Sequence, residues 1–189
     1  MTVARLIASL NAALTPDMSV VCDVGDCLFA ALDLRVHERT HFLASAFYTS
    51  MGFAVPAALG AQIGSPDLRP LILVGDGAFQ MTGTELSTFV RRGLDPVVVV
   101  FNNHGYSTER FILEGPFNDV AEWNYEHIGE LIGPVSGFRA ASEDEFETAL
   151  QQALRTTGRP SLINVQLASN DPSPAMRRLA EHLGRKVNG

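Results

Sequence analysis

The sequence predicts an α/β protein with a doubly wound, mainly parallel sheet and helices on both faces. Three observations predict it. LILV (71–74), VVVVF (97–101) and SLINVQL (161–167) are uninterrupted apolar runs, the pattern of strands buried on both faces. Helical stretches of roughly 10–15 residues separate them, as a parallel sheet requires of its crossovers. The composition, 46% hydrophobic and 19% charged over 189 residues, is that of a chain able to bury a core.

The elements follow in order. Val3, Leu6, Ile7, Leu10 and Leu14 recur at helical spacing, so residues 2–14 form the first helix. MSVVCDVGD reads as a short buried strand ending in a Gly-Asp turn. Residues 33–45 have no period and read as a loop with a short strand near Phe42. MGFAVPAALGAQIG predicts a helix opening near Met51, with Pro56 in its first turns and Gly64 near its end. After LILV comes a GDG turn, then a helix with the capping-box pattern Thr82–Glu85. TELSTFVRRG, NYEHIGELIG and EDEFETALQQALRTTG are helical, the acidic EDEFE run complementing a helix dipole at its N-terminal turn. PSPAMRRLAEHLGRK makes a last helix opened by proline. Phe117, Trp123 and Tyr125 are expected to pack under a loop. No repeat or linker divides the chain, so residues 1–189 are expected to form one domain.

Charge narrows the function. Fourteen Lys plus Arg against 21 Asp plus Glu gives a net charge of −7, which argues against nucleic acid or an anionic membrane as partner. Any bound phosphate must then be held by local dipoles or a metal. Cys22 and Cys27, the two cysteines, read as buried or loop thiols of a reducing compartment. No apolar run approaches the ~20 residues that span a bilayer. The N-terminus reads as an amphipathic helix and not a signal peptide, so the expectation is a soluble, cytoplasmic protein. The five histidines show no metal-binding spacing and are expected to be structural or superficial.

In an open parallel sheet, ligands sit outside the carboxyl ends of the strands. Two strand ends here carry unusual polar residues. LILV runs into Gly75-Asp76-Gly77, where two glycines permit a tight turn and close approach of a ligand. VVVVF runs into Asn102-Asn103, with Gly105 two positions on. A carboxylate, an amide oxygen and a loop carbonyl are the hard ligands Mg²⁺ takes, together with phosphate oxygens and water. Either half alone is commonly just a turn. The compound pattern, GDG and NN closing two apolar strands with residues 78–101 between them, is specific.

On these residues the chain resembles the cofactor-diphosphate (PP) domain of thiamine-diphosphate-dependent enzymes, in the pyruvate, indolepyruvate and phenylpyruvate decarboxylase branch. The resemblance runs nearly the whole length. It is carried by GDGAFQMTGTELSTFVRRGLDPVVVVFNNHGYSTER, with TSMGFAVPAALGAQIG and GPFNDVAEWNY in support. It implies thiamine diphosphate and Mg²⁺ as cofactors, with the metal on Asp76, Asn103 and the Gly105 carbonyl. It implies that Gly75 belongs to the cofactor-binding set, and that Gly77, Ala78 and the Asn103–Ser107 loop, Tyr106 included, hold the diphosphate through backbone N–H groups. Gly25 and Asp26 match the family's loop on the other side of that diphosphate. Met51 falls where the family places the apolar wedge that bends the cofactor, and the Thr49 carbonyl would accept from the aminopyrimidine. Glu109, in YSTER, matches the glutamate of the YTIER pattern that lies over the thiazolium. It is the expected catalytic residue, assisting decarboxylation and the later protonation, with a raised pKa in an enclosed site. The alternative for Glu109 is an ordinary ion pair with Arg110 in solvent. Ser107-Thr108 departs from the commoner pattern, His104 sits at a position the family varies, and both bear on substrate range.

The family's chemistry also needs a glutamate on a separate pyrimidine-binding (PYR) domain, which this length does not hold. The sequence is then either an excised fragment or a natural half enzyme. With Met at the start and a complete tail, the expectation is a split enzyme: this chain as the PP subunit of a 2-oxo-acid decarboxylase, a lyase, hetero-oligomeric with a PYR subunit. An acyloin-forming carboligase on the same scaffold is the runner-up, and a non-catalytic interaction subunit is a rival of another class. A nicotinamide-binding Rossmann domain is weaker, because the first strand's turn lacks GxGxxG.

Overall fold

A computed structural model describes residues 1–110 and 113–179. The elements are α1 (Val3–Ala13), β1 (Met18–Cys22), α2 (Asp26–Ala31), β2 (Phe42–Ala44), α3 (Ala54–Gly64), β3 (Arg69–Gly75), α4 (Asp76–Thr82), α5 (Leu86–Arg92), β4 (Val97–Asn102), α6 (Ser107–Arg110), α7 (Gly129–Ile132), β5 (Ser136–Ala140), α8 (Glu143–Arg155) and β6 (Ser161–Gln166). Residues 174–179 are helical, and the rest of the expected last helix lies outside the described residues.

The six strands form one sheet in the order β2-β1-β3-β4-β6-β5, and every pair is parallel. Alternation along the strands feeds two cores. Val20, Leu71, Leu73, Val97 and Val99 face α1, α2 and α8, while Val21, Ile72, Val74, Val98 and Val100 face α3, α4 and α5. Burying each such side chain stabilises the fold by roughly 1.5–3 kcal/mol. The doubly wound expectation is met, and the sheet is wholly parallel.

Strand order locates the site. From β1 the chain crosses to β2 on one side, and from β3 it crosses to β4 on the other. Accordingly, α2 leaves the carboxyl edge toward one core and α4 toward the other. The diverging connections open a crevice above β1 and β3, the switch point where such sheets bind ligands.

Several local expectations are corrected. The capping box at Thr82–Glu85 does not form: α4 begins at Asp76, and the Thr82 hydroxyl donates to the Gly52 carbonyl at 2.8 Å. The box is found instead at α8, where Ser142 and Glu145 satisfy each other's backbone N–H groups, worth roughly 1 kcal/mol. The acidic first turn there is as expected. The helix expected from Met51 opens at Ala54, because Gly52 at φ 80° turns the chain first. Residues 124–133 break into a 3-10 turn, Tyr125–His127, and α7. Tyr125 is buried and edge-on to Phe79 at 5.7 Å, whereas Phe117 and Trp123 are exposed. Two elements escaped the sequence. One is β5, an edge strand whose SGFRA lacks an apolar run, and the other is α2, taken as a turn. Both cysteines are buried and free.

At the amino edge of the sheet Arg69 anchors the architecture. Its guanidinium donates to the carbonyls of Asp95 (2.7 Å), Leu154 (2.6 Å), Ala153 (2.9 Å) and Thr156 (2.7 Å), satisfying the open end of α8.

Candidate cofactor site

Every residue singled out from the sequence lies in a connection that follows the carboxyl end of β1, β2, β3 or β4. Gly25 and Asp26 follow β1, Thr49 and Met51 follow β2, Gly75 to Ala78 join β3 to α4, and Asn103 to Glu109 follow β4. Contacts tie the connections together. The Gly105 N–H donates to Asp76 Oδ2 at 3.0 Å, and the Thr82 hydroxyl holds Gly52. A Cβ placed on Gly25 would stand 3.7 Å from Thr108 Oγ1.

Asp76 is 2% exposed. Its Oδ1 accepts from the Gly77 N–H at 2.8 Å while Oδ2 takes Gly105, so each oxygen keeps a lone pair for another partner. Burial pushes this carboxyl up to about 6, against the opposing pull of the Gly77 and Gly105 N–H groups. A buried carboxylate of this kind is costly to charge, and a divalent cation would supply a strong countercharge.

The β4 connection is built tightly. The Tyr106 N–H donates to the Asn118 carbonyl at 2.8 Å, and Gly105 bridges antiparallel to Asp119. A Cβ on Gly105 would lie 2.1 Å from the Asn118 carbonyl oxygen, and its φ is +153°, so only glycine fits. His104 takes φ 63° beside it, an unusual conformation for a side-chain-bearing residue. The Asn103 amide donates through Nδ2 to Ser107 Oγ at 3.1 Å, and this fixes its orientation. Its Oδ1 is buried without a hydrogen-bond partner. Burying a polar atom so costs roughly 1–3 kcal/mol, and a cation would relieve that. The Gly105 carbonyl accepts from the Ser107 N–H at 3.1 Å and retains a second lone pair. Among the described residues no group of three or more His, Cys, Asp or Glu could hold a metal. An Asp–Asn–carbonyl set is an oxygen set of the kind hard cations prefer, and the residues fit Mg²⁺.

Other expected roles are modified. The N–H groups of Gly77, Gly105, Tyr106 and Ser107 are engaged inside the chain, so they shape the loops before they meet any ligand. The Asp26 carboxylate is engaged from a distant segment of the chain. Both of its oxygens accept from the Ser173 N–H, at 3.1 and 3.0 Å, and Oδ1 also accepts from the Ser173 hydroxyl at 2.6 Å. Its carboxylate latches residue 173 to α2. Glu109 is exposed and makes no side-chain hydrogen bond or ion pair among the described residues. The chain does not enclose it, and the Arg110 pair is not formed either: Arg110 holds Glu114 and Asp119, each at 2.6 Å. Thr49 takes φ 56°, strained for a β-branched residue, and Met51 is 37% exposed.

Sequence reasoning missed Asp23. This buried carboxylate accepts from Gly52 N–H at 3.1 Å through Oδ1 and from Ala54 N–H at 2.9 Å through Oδ2. It caps α3 from another element and so sets the loop that carries Thr49 and Met51. Burial raises its pKa, opposed by those N–H donors. An Asp directly after the apolar run SVVC was the available signal.

Residues 23–165 match the family model for the thiamine pyrophosphate enzyme, C-terminal TPP binding domain. An alpha-keto-acid decarboxylase of Mycolicibacterium paratuberculosis is 39% identical over 159 residues, 82% of this chain and 28% of that protein. An indole-3-pyruvate decarboxylase of Azospirillum brasilense is 37% identical over 182 residues, 96% of this chain and 33% of that protein. Among solved structures, the thiamine diphosphate-dependent 4-hydroxybenzoylformate decarboxylase of Rhodococcus jostii RHA1 superposes with a TM-score of 0.81 at 28% identity, over 89% of this chain and 33% of that one. The chain therefore spans about a third of the length of these relatives. Sheet order, crevice and matched span lead to one conclusion: the chain belongs to the thiamine pyrophosphate enzymes, as their C-terminal TPP-binding domain.

Proposed function

We propose that this chain is the diphosphate-binding part of a thiamine-diphosphate- and Mg²⁺-dependent 2-oxo-acid decarboxylase that works with a PYR-domain partner. The observation that carries the reading is the buried, partnerless Asn103 Oδ1 in the connection that Asp76 grips through Gly105. Asp76, Asn103 and the Gly105 carbonyl would hold the cation, and the cation would hold the diphosphate that an acidic chain otherwise repels. Asp23 fixes the strained segment in which the Thr49 carbonyl and Met51 would orient the rest of the cofactor. When bound, thiamine diphosphate supplies the electron sink that decarboxylation needs. Glu109, exposed on this chain, would hold and return a proton once a partner covers it.

A partner is also supported by the surface. Phe47, Tyr48, Met51, Met81, Phe117 and Trp123 are large, apolar and exposed, and all lie in segments that follow β2, β3 or β4. A covered site there excludes water and raises the pKa of an enclosed carboxyl. The relatives' names, alpha-keto-acid, indole-3-pyruvate and 4-hydroxybenzoylformate decarboxylase, support a 2-oxo acid as the substrate.

The test is turnover of pyruvate, phenylpyruvate, indolepyruvate and benzoylformate by the purified chain, alone and mixed with a PYR-domain protein. CO₂ and aldehyde should form only in the mixture, and should slow with Glu109→Gln more than cofactor binding weakens. Full activity of the chain alone would overturn the partner, and acyloin as the main product would favour carboligation.

A further inference from the structure

Asn103 is placed by its neighbours on either side, and one carboxylate holds both. The Asn102 Nδ2 donates to Glu122 Oε1 at 2.9 Å, and the His104 Nδ1–H donates to Glu122 Oε2 at 2.8 Å. A carboxylate only accepts, which assigns the proton to Nδ1. Asn102 is fully buried at the end of β4, and its Nδ2 also donates to Asn164 Oδ1, 3.1 Å away on β6. Asn164 in turn donates to Glu126 Oε2 at 2.7 Å, so this end of the grip is set in the sheet. The other end, His104, is the residue at φ 63°. Backbone strain of this kind costs on the order of 1–3 kcal/mol and persists only where the surroundings impose it.

We propose that Glu122 is a positioning residue for the cation site, bridging Asn102 and His104 so that the buried amide oxygen of Asn103 between them is presented in a fixed direction. The inference rests on the reading of Asp76 and Asn103 as cation ligands. Glu122 itself touches neither of them among the contacts of its carboxylate: both oxygens are occupied by Asn102 and His104. Releasing it lets His104 relax from its left-handed conformation and loosens the backbone that carries the Asn103 amide, whose Nδ2 still holds Ser107. An ordered ligand then becomes one that must be ordered on binding. Groups that orient metal ligands in this way typically change metal affinity by about 10–100-fold.

The experiment is calorimetric titration of Mg²⁺ into the full chain at a fixed, high concentration of thiamine diphosphate, with thermal unfolding of the metal-free chain measured in parallel. Five proteins are compared: wild type, Glu122→Ala, Glu122→Gln, His104→Ala and Asp76→Asn. Glu122→Ala should weaken Mg²⁺ about 10-fold or more. Glu122→Gln keeps an acceptor for Asn102 and can donate to the other His104 tautomer, so it should recover most of the affinity. His104→Ala, which removes one arm of the bridge from an exposed position, should weaken Mg²⁺ in the same direction and serves if Glu122→Ala does not fold. Equal Mg²⁺ affinity in wild type, Glu122→Ala and His104→Ala, with binding lost in Asp76→Asn, would overturn the bridge and leave the site standing. A Tm loss in Glu122→Ala with Mg²⁺ affinity unchanged would also overturn it. If the wild type shows no Mg²⁺ binding, or Asp76→Asn binds as well as wild type, the reading of the site fails and takes the bridge with it.

Discussion

Asp76 offers a test that needs no partner and no substrate. Its carboxyl is 2% exposed, and burial raises its pKa from 3.8 to about 6. The folded chain therefore binds this proton more tightly than the unfolded chain does. Between these two values the folded state carries more protons, so stability is fullest below 3.8 and is lost as pH rises through about 6. A rise of about two units at roughly 1.4 kcal/mol each makes the loss about 3 kcal/mol. Asp76→Asn removes the titration. It also leaves an amide nitrogen facing one of two N–H donors, Gly77 or Gly105, at a cost of roughly 1–3 kcal/mol that does not vary with pH. The assay is urea unfolding of both proteins in chelator from about pH 4 to about pH 7, with the stability difference plotted against pH. All other groups cancel in that difference. The variant should gain on the wild type by about 2–3 kcal/mol across the range, most of it below about pH 6. A flat difference would refute the reasoning, because a carboxylate still in contact with water would not need a cation.

Two further outcomes separate the site from its scaffold. Gly105→Ala puts a methyl 2.1 Å from the Asn118 carbonyl oxygen at a φ of +153°, and should cost about 3 kcal/mol in chemical unfolding together with Mg²⁺-dependent binding of thiamine diphosphate. Arg69→Met strips the donors from four carbonyls at the opposite edge of the sheet. It should cost about 3 kcal/mol in unfolding while leaving Mg²⁺ affinity as in the wild type, and a matching loss of affinity would contradict the separation of the two edges.

What was legible in the sequence is what short segments carry by themselves. Continuous apolar runs such as Val97–Phe101 have no polar alternative to burial, so they announced strands of a sheet covered on both faces. GDG and NNHG announced strand ends because glycine and short polar side chains suit tight turns there. The residues singled out on that basis all fall at or just after the carboxyl ends of β1 to β4. Edge strand β5 was not legible, since SGFRA is only half-buried and its pairing with β6 comes from the sheet and not from its own pattern.

The rest belongs to contacts between residues far apart in the chain. Thr82 and Glu85 spell a capping box, yet Gly52 takes the Thr82 hydroxyl and the helix starts earlier. Asp26 was matched to the loop beside the diphosphate, and nothing near it in the sequence announced that Ser173 would hold its carboxylate. Glu109 is displayed and not enclosed, because the chain leaves that face open. By itself the sequence determined which segments become strands and which loops meet at the switch point, since hydrophobic burial and turn chemistry act over a few residues. Only the tertiary structure decided where each carboxylate points. Asp23, Asp26, Asp76 and Glu122 are chemically alike, and a buried or half-buried carboxylate goes to whichever N–H or O–H donors the fold brings within about 3 Å.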